Sequence, residues 1–590
     1  MNYNSLTDRH PFGAVLAGTT VTWHLPLSEE QAIWLLLYRD GHWDAPARIA
    51  FLRQDDGWQA QAPLPAAGLW YYGFEQQRAG QTSWYGCVDG GFGGLGQDYA
   101  DFSQLQRYQI SVVTQVETIP DWWQNALVYH IFVDRFRNGN ADGHVLAPKP
   151  NSFIYGQKTD RPYYIRDSQG EVVRWDFYGG NLLGIQQSLP LLKARGVTVL
   201  YLSPIFEARS NHRYDTGDYF KIDAMLGDLA QFKSFVQAVH AAGMHLILDG
   251  VFNHVGAASR YFNATGDYPQ AGAANRRDSP YANWFTFKHF PDAYASWWGV
   301  RDLPAINKEN QDFHNFIAGS DGVINYWTQL GVDGWRLDVV DELADDFVTA
   351  IRKRLNQFPQ RLLVGEVWED ASHKIAYGKR RAYFEGQQLQ ATMNYPLRQL
   401  LLDLVGQRLT PEAFVRQLMT LKENYPAAIF NHNFNLLDSH DTPRLLTSLG
   451  GNLAQLQAII TLLYTLPGNP VLYYGDEVGL TGGPDPDNRA FYPWGHEDQA
   501  VLAIYQTAIQ RRQNEPALAN EASWYPFSFV GGVGYVRTAP DQTLLVVVNT
   551  TAQAQQLVNP DLTLVPAELQ SVIPVSRFLD PWATLVETSH

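Results

Sequence analysis

The chain has 590 residues, of which 45% are hydrophobic and 13% aromatic, and its formal net charge at pH 7 is −16. The apolar fraction argues against general disorder, and the negative charge argues against a nucleic-acid partner, because phosphates would be repelled. The sequence contains no run of about 18 apolar residues, so no membrane span is expected. The sequence begins without a signal-peptide pattern and contains one cysteine, Cys87. We therefore expect a cytoplasmic protein, or an exported one whose leader was removed.

Residues 1–118 contain short segments with the alternation typical of β-strands, separated by turn signals. These segments are TVTWHLPL, AIWLLLYRD, GLWYYGFEQ and QISVVTQV. They predict an N-terminal β-sandwich over 1–118. The glycine-rich run GGFGGLG (90–96) lacks the Lys-Ser/Thr ending of a phosphate loop, so we expect a flexible loop of the sandwich there.

From residue 119 to residue 516, apolar strand candidates alternate with amphipathic helical segments. One helical segment, DLAQFKSFVQAVHAAG, stops at Gly243 and leads directly into a strand candidate. The eight strand candidates are NALVYHIFVDRF, VTVLYLSP, MHLILDGV, VDGWRLDV, RLLVGEVW, ATMNYP, FNLLDSHD and NPVLYYGDE. This pattern predicts the α/β class and a closed (β/α)8 TIM barrel.

Two further regions complete the predicted architecture. The segment between the third and fourth strands, about 254–312, is long and irregular, which predicts an inserted subdomain because structureless loops of that length are uncommon. After residue 516 the β alternation returns, which predicts a C-terminal all-β domain over 517–590.

Acidic residues stand at the carboxyl ends of three predicted barrel strands, where barrel enzymes carry their active sites. They are Asp338, Glu366 and Asp441, and His254 and His440 lie at strand ends as well. Single carboxylates at strand ends are common, but three on one rim together with two histidines are not. The combination favours a catalytic site.

Arg336 and Asp338 are two residues apart, so on a strand they face the same side. We expect Arg336 to keep Asp338 ionised and to hold its pKa down, although a structural salt bridge would use the same pair. Glu366 lies between Gly365 and the apolar Val367, which suits a carboxyl that keeps its proton. One ionised carboxylate and one protonated carboxyl are what glycoside hydrolysis requires.

Four stretches resemble the α-amylase superfamily, glycoside hydrolase family thirteen, in their order and spacing. They are DGVFNH (249–254), GWRLDVV (334–340), GEVW (365–368) and LLDSHD (436–441). The resemblance covers about residues 120–590 and includes the inserted subdomain and the C-terminal β-domain. It implies that Asp338 is the nucleophile, that Glu366 is the acid/base, and that Asp441 stabilises the transition state. It also implies that one sugar subsite is lined by Tyr214, His254, Arg336 and His440.

The N-terminal sandwich and two segments, YGDEVGLTGGPDPDNR (474–489) and GEVWEDA (365–371), resemble the group of neopullulanases, cyclomaltodextrinases and maltogenic amylases. By that resemblance Asp485 and Arg489 bind the next sugar on the non-reducing side, unless they form a solvated ion pair. Trp368 and Glu369 lie where the leaving sugar is held. Departures at LPAIN (303–307) and at Glu369 leave the substrate preference open. Relatives in this group often dimerise, so a homodimer is expected.

The same resemblance implies a calcium loop, which would be structural because the chemistry needs no cofactor. Its candidate ligands are Asn138, Asn140, Asp142, Gly179 and Asn181. Oxygen ligands at alternate positions suit this ion, but Asn181 replaces a carboxylate, and a polar turn is the alternative. Asn253 occupies another calcium position of many amylases, where a hydrogen-bonding role is the favoured interpretation. No His/Cys cluster has zinc-ligand spacing.

Together these features predict a retaining α-glucan hydrolase that acts by double displacement. Its substrates would be maltodextrins, cyclodextrins, pullulan or starch, cleaved at α-1,4 bonds, with α-1,6 cleavage left open. An α-glucanotransferase using the same covalent intermediate is the enzymatic alternative. A non-catalytic glucan-binding scaffold is a remote alternative, because the three carboxylates are all present and no membrane span is predicted.

Overall fold

The structure is a computed structural model that describes residues 1–25, 32–55, 57–78 and 80–589. At its centre, eight parallel strands of the described chain form a barrel. They are β1 (Val128–Ile131), β2 (Val199–Leu202), β3 (His245–Gly250), β4 (Gly334–Leu337), β5 (Leu362–Gly365), β6 (Ala391–Thr392), β7 (Phe434–Leu436) and β8 (Asn469–Tyr473). Neighbours pair in the order β6-β5-β4-β3-β2-β1-β8-β7. The predicted barrel is confirmed.

The junction between β6 and β7 closes the barrel through a parallel bridge between Met393 and Phe434. Asparagine side chains reinforce this junction. The Asn433 side-chain oxygen accepts a hydrogen bond from the Thr392 N–H at 2.7 Å, and the Asn394 amide donates to the Asn435 side-chain oxygen at 2.8 Å. Side-chain amides therefore supplement a short backbone ladder here.

Helices surround the barrel and bury one apolar stripe each. In the helix Leu229–Ala241, the buried positions Phe232, Phe235, Val236 and Val239 follow the helical spacing, and Asp228 caps the first turn. Gly243 ends the helix in a left-handed conformation. The other principal helices are Leu182–Ala194, Gln311–Ala318, Val323–Gln329, Asp345–Leu355, Tyr395–Val405, Pro411–Asn424, Leu453–Thr465 and Gln499–Asn514.

Between β3 and β4 the chain forms irregular turns and a short hairpin, Phe287–His289 with Ala293–Tyr294, before the helices that lead into β4. This matches the irregular segment expected at 254–312. A second irregular region, not expected from the sequence, follows β1 and contains the strands Ser152–Ile154, Ile165–Arg166 and Val172–Phe177. The domain boundaries at 118/119 and 516/517 stay predictions.

The N-terminal region consists of β-sheets packed around a core that includes Trp23, Tyr72 and Phe74. The strands of the larger sheet are Val15–Leu16, Ala32–Arg39, His42–Ala50, Gly68–Arg78, Gln81–Val88, Phe92–Tyr99 and Tyr108–Val113, and those of the smaller are Arg9–His10, Thr20–Leu25, Leu52–Gln54 and Gly57–Pro63. The expectation of a flexible loop at 90–96 is wrong from Phe92 onward, because Phe92–Tyr99 is a β-strand that pairs with Gln81–Val88 at Phe92 and again from Gln97.

The C-terminal region forms an antiparallel sheet, as predicted. Its strands are Ser523–Phe529, Gly532–Ala539, Gln542–Asn549 and Thr584–Ser589. Among the helices of the described chain, none combines the length and the apolar character that crossing a bilayer demands.

The N-terminal sheets are fastened to the barrel helix Pro411–Asn424 by a buried ion pair. Arg9 lies 3.3 Å from Glu423, and both side chains are almost fully buried. Ser5 donates a second hydrogen bond to Glu423 at 2.9 Å. A Cβ on Gly93 would stand 2.2 Å from the same carboxylate, so this position requires glycine. The pair thus locks the position of the N-terminal sheets on the barrel.

We expect Glu423→Ala to lower the free energy of unfolding by about 3–5 kcal/mol, because it leaves the buried Arg9 guanidinium without its partner. Denaturant unfolding followed by far-UV circular dichroism measures this change. Asp278→Ala is the control, since it removes the exposed Arg276–Asp278 pair and should leave stability unchanged. Equal effects of the two substitutions would contradict the prediction.

Candidate active site

The guanidinium of Arg336 connects carboxylates from three adjacent barrel strands. Arg336 Nη1 lies 2.8 Å from Asp249 Oδ1 at the end of β3 and 2.9 Å from Asp338 Oδ1, just after β4. Its Nη2 lies 2.8 Å from Glu366 Oε2, just after β5. All four side chains are buried. We call Asp249, Asp338, Glu366 and the nearby Asp441 the carboxyl cluster.

The backbone turns sharply after Asp338. Val339 has φ 38°, in the left-handed region, which costs a β-branched residue about 1–3 kcal/mol. In this conformation the Val339 N–H donates to Glu366 Oε2 at 2.7 Å. The strain therefore coincides with a hydrogen bond that orients one member of the cluster beside another.

Two tyrosine hydroxyls share Asp249 Oδ2 with Arg336 Nη1, which donates to it at 2.9 Å. Tyr201 donates to Asp249 Oδ2 at 2.6 Å, and Tyr214 donates to the same oxygen at 2.9 Å. The Tyr214 ring stacks on His440, with centroids 5.2 Å apart and planes 8° apart. Tyr214, Arg336 and His440 are therefore brought together around Asp249.

Asp441 lies in the loop five residues beyond the end of β7, not at the strand end where it was expected. It stands 3.2 Å from His440 and 3.6 Å from Arg489. Arg489 in turn pairs with Asp485 at 3.0 Å, and Tyr164 donates to Asp485 at 2.7 Å. The predicted residues Asp441, Asp485 and Arg489 thus line one continuous wall.

Burial raises the pKa of three members of the cluster, Asp249, Asp338 and Asp441. Burial raises the pKa of Asp338 well above its ordinary value, Arg336 lowers it by less, and Glu366 adds to the increase. The expectation that Arg336 holds this pKa down is therefore wrong. Burial and then Glu366 raise the pKa of Asp441 to about 7, although 32% of its side chain is exposed. Asp249, Asp338 and Asp441 therefore favour their protonated forms more than isolated aspartates do.

Trp368 forms the edge of the site next to Glu366. Its indole N–H donates to Glu366 Oε1 at 3.0 Å, and its partly exposed ring lies flat on Tyr395 at 3.8 Å. Glu369 points to the surface, where it pairs with Lys374. Trp368 therefore presents an aromatic face beside the cluster, whereas the Glu369 carboxylate is engaged with a lysine.

His254 is buried and stacks on Trp297, with centroids 5.1 Å apart. Its Nε2 is buried and, within the described residues, has no hydrogen-bond partner. The Asn253 amide nitrogen lies 3.2 Å from His254 Nδ1, which supports the hydrogen-bonding interpretation of Asn253. A buried nitrogen without a partner is costly in a folded protein, so His254 is poised to bind a polar ligand group.

Two exposed aromatic residues near the cluster were not found from the sequence. Trp298 and Tyr377 are 79% and 66% exposed, and both have left-handed backbones, with φ 48° and 52°. The carboxylate of Glu342 accepts hydrogen bonds from Trp298 at 3.2 Å and from Tyr377 at 2.6 Å. Glu342 ends the turn Val340–Glu342 that follows Asp338, so it holds both rings near the carboxyl cluster.

The predicted calcium ligands form a hydrogen-bonded turn. The Asn181 side-chain oxygen accepts from the N–H groups of Gly139 at 3.1 Å and Gly184 at 2.8 Å, and so caps the helix Leu182–Ala194. The Asn138 oxygen accepts from the Asn140 N–H at 2.9 Å. The other two candidates also make hydrogen bonds, Asp142 as acceptor from His144 and Gly179 as donor to Asp134. In this arrangement the side-chain oxygens of Asn138 and Asn181 accept N–H groups, and the calcium loop stays a prediction.

The sequence reasoning missed several members of the site. Asp249 belongs to the quoted DGVFNH stretch but received no role, although the register places it beside Arg336. An assumed pairing of the third and fourth strands would have placed Asp249 beside Arg336. The partners Tyr201, Trp297 and Tyr395 carried no local signal that separates them from core aromatics.

Comparison with known proteins gives consistent matches. Residues 130–500 match the α-amylase family model, described as the alpha amylase catalytic domain. Neopullulanase 2 of Thermoactinomyces vulgaris is 34% identical over 471 residues, which are 77% of this chain and 75% of that protein. The structure of a cyclic α-maltosyl-(1→6)-maltose hydrolase from Arthrobacter globiformis, in complex with that sugar, has a TM-score of 0.69 at 30% identity and covers 80% of this chain and 100% of that chain.

Longer relatives also match. The amylopullulanase of Thermoanaerobacter thermohydrosulfuricus is 32% identical over 626 residues, which are 92% of this chain and 41% of that protein. The matches to two further amylopullulanases cover 48% and 33% of those proteins. The chain therefore spans less than half of these curated relatives.

We expect the difference in thermal unfolding midpoint between Asp441→Asn and the wild type to favour the variant more at pH 8 than at pH 5. The pKa of Asp441 is about 7 in the folded protein and about 3.9 in an unfolded chain, so its favourable contribution is present below about pH 4 and is lost as the pH rises through 7. Thermal denaturation at both pH values tests this. A difference between variant and wild type that does not change with pH would contradict it.

Proposed function

Because the chain belongs to the α-amylase family, whose catalytic-domain model matches residues 130–500, we propose that it is a retaining α-glucan hydrolase. The observation that carries the proposal is the Arg336 guanidinium that joins Asp338 and Glu366. One arginine bonded to both carboxylates supports the short separation of about 5–5.5 Å that retaining glycosidases use. Relatives named neopullulanase, cyclomaltodextrinase and maltogenic α-amylase support α-glucans as substrates.

In the first step, Asp338 attacks the anomeric carbon while Glu366 transfers its proton to the leaving glycosidic oxygen. The bond to the leaving sugar breaks and a covalent glycosyl-enzyme forms. In the second step, Glu366 removes a proton from water, which attacks the same carbon and releases Asp338. Two inversions retain the α configuration.

The route needs Glu366 protonated and Asp338 ionised. Arg336 contacts both carboxylates and stabilises the anionic form of Asp338, whereas burial and then Glu366 raise the pKa of Asp338. During the first step Glu366 delivers the proton and Asp338 acts as the anion. Donors from Val339 and Trp368 hold Glu366 in position throughout.

The surrounding side chains have assignable roles in holding the sugar. We assign Asp441, His254 and His440 to the hydroxyl groups of the reacting glucose, and Tyr214 to its apolar face. Asp485 and Arg489 would bind the next sugar on the non-reducing side, since their ion pair continues the wall from Asp441. Trp368 would stack on the leaving sugar. Glu369, which pairs with Lys374, would contact that sugar only through water.

A groove extends from Trp368 along the boundary between the barrel and the N-terminal sheets. Its volume is about 810 Å³, and its lining includes Trp43, Tyr71, Phe92, Arg107, Trp368 and Tyr395. Trp43 is 42% exposed and packs against Tyr71 at 5.1 Å. Partly exposed aromatic rings suit the apolar faces of glucose units, so this groove would hold the leaving-group side of a longer chain.

The α-glucanotransferase alternative is not favoured, since the similar proteins carry hydrolase names. It differs only in whether a sugar or water attacks the glycosyl-enzyme. Product profiles on pullulan, starch and cyclodextrin, with and without added maltose, separate the two and report the bond type.

Homodimerisation and location stay proposals. The homodimer rests on resemblance, and light scattering of the purified chain tests it. Similarity to an intracellular maltogenic amylase of Bacillus subtilis, 31% identical over 82% of this chain, supports a cytoplasmic location; fractionation of the source cells tests this.

We expect Asp338→Asn to reduce turnover by roughly 10⁴-fold or more, because it removes the nucleophile and preserves size. Glu366→Gln should reduce starch hydrolysis similarly but retain the first step with a glucosyl fluoride, whose leaving group needs no protonation. Stopped-flow kinetics and early NMR of the wild-type product measure these effects. Near-normal activity of Asp338→Asn, or an initial β-anomer, would refute the assignment.

We expect Trp43→Ala to raise KM for pullulan roughly threefold to tenfold while leaving maltotriose hydrolysis unchanged, because one aromatic contact contributes about 0.5–1.5 kcal/mol. Leu52→Ala is the matched control, an exposed apolar residue on the other N-terminal sheet. A Trp43→Ala enzyme whose KM for both substrates equals that of the control would show that the groove is not used.

A further inference from the structure

A second group of titratable side chains lies at the end of the barrel opposite the carboxyl cluster. His245 is the first residue of β3, Asp333 directly precedes β4, and His240 lies in the last turn of the helix Leu229–Ala241. Each offers one ligand atom, and these atoms all lie within 4.8 Å of one another. We call these residues the His-His-Asp cluster.

Both histidine rings direct a nitrogen at one carboxylate oxygen. His240 Nε2 lies 2.8 Å from Asp333 Oδ2, and His245 Nδ1 lies 3.4 Å from it. His245 Nδ1 is shielded from solvent, and no residue of the described chain forms a hydrogen bond with it. A buried polar atom of this kind requires an explanation, and a ligand between the three atoms supplies one.

The surroundings hold the cluster in this arrangement. The Trp122 ring stacks on His245 at 4.6 Å, and the Leu246 N–H donates to Asp333 Oδ2 at 3.0 Å. These contacts fix the orientation of the Asp333 carboxylate and the His245 ring, as metal ligands require.

We propose that the His-His-Asp cluster binds a divalent transition-metal ion of the zinc type, with water in the fourth position. Two imidazole nitrogens and one carboxylate oxygen are a donor set that zinc accepts. Zinc bonds of about 2.0–2.2 Å in tetrahedral geometry place ligand atoms roughly 3.3–3.6 Å apart. The His245–Asp333 separation already meets this, and the His240–Asp333 separation needs to open by less than about 1 Å.

The bound ion would act on stability and not on the reaction. It would join the helix Leu229–Ala241 to the starts of β3 and β4, at the barrel face where residues serve the fold. Sequence spacing does not reveal the cluster, because Asp333 is 88 positions from His245 and meets it only through the pairing of β3 with β4.

The test uses the full chain without an affinity tag, freed of metal by a chelator that is then removed. Isothermal titration with Zn²⁺ at pH 7.5 should show one equivalent bound, and Zn²⁺ should raise the thermal unfolding midpoint. Co²⁺ should give the visible absorption of a tetrahedral site. Ca²⁺ should neither bind at this cluster nor raise the thermal unfolding midpoint, because it prefers oxygen ligands.

His240→Gln and His245→Gln should each weaken Zn²⁺ binding at least tenfold without changing the rate of starch hydrolysis. His289→Ala, an exposed histidine on the hairpin Phe287–His289, should bind like the wild type. The proposal is overturned if the wild type shows no stoichiometric Zn²⁺ binding, or if His245→Gln binds with unchanged affinity. Neither outcome depends on the proposed activity.

Discussion

The attraction between the Arg336 guanidinium and the carboxylates around it is the interaction on which the site depends. Arg336 cannot lose its charge, and its planar group reaches the ends of β3, β4 and β5 at once. Without it, Asp249, Asp338 and Glu366 would repel one another in a buried space. With it, negative charge accumulates at the carboxyl end of the barrel, where a sugar that develops positive charge is stabilised.

The sequence was informative wherever a pattern is local. The strands, the helix that Gly243 ends, and the placement of Asp338 beside Arg336 all follow from periodicity and spacing within a few residues. The sign of the Asp338 pKa shift could not be predicted this way, because it depends on total burial and on carboxylates that arrive from other strands. Asp249 was likewise hidden, since its role comes from strand register.

Features built from residues far apart in the sequence could not be predicted from local patterns. Trp298 and Tyr377 are 79 positions apart and meet through Glu342, and the groove combines rings of the N-terminal sheets with Trp368. The predicted calcium loop depends on the fold in the same way. Whether an amide oxygen there binds a cation or caps a helix depends on the N–H groups that the fold places nearby.

The junction that closes the barrel between β6 and β7 is sensitive to hydrolysis of its asparagine side chains. Backbone ladders do not depend on side-chain identity, but this junction relies in part on the amides of Asn394, Asn433 and Asn435. Asparagine amides hydrolyse slowly in water. Conversion of Asn435 would leave its bond from Asn394 intact, because an aspartate still accepts. Conversion of Asn394 would replace that donor with an acceptor and set a negative charge against the Asn435 oxygen. Hydrolysis of Asn394 would therefore weaken this seam, which lies next to Tyr395, the residue that supports Trp368 beside the carboxyl cluster.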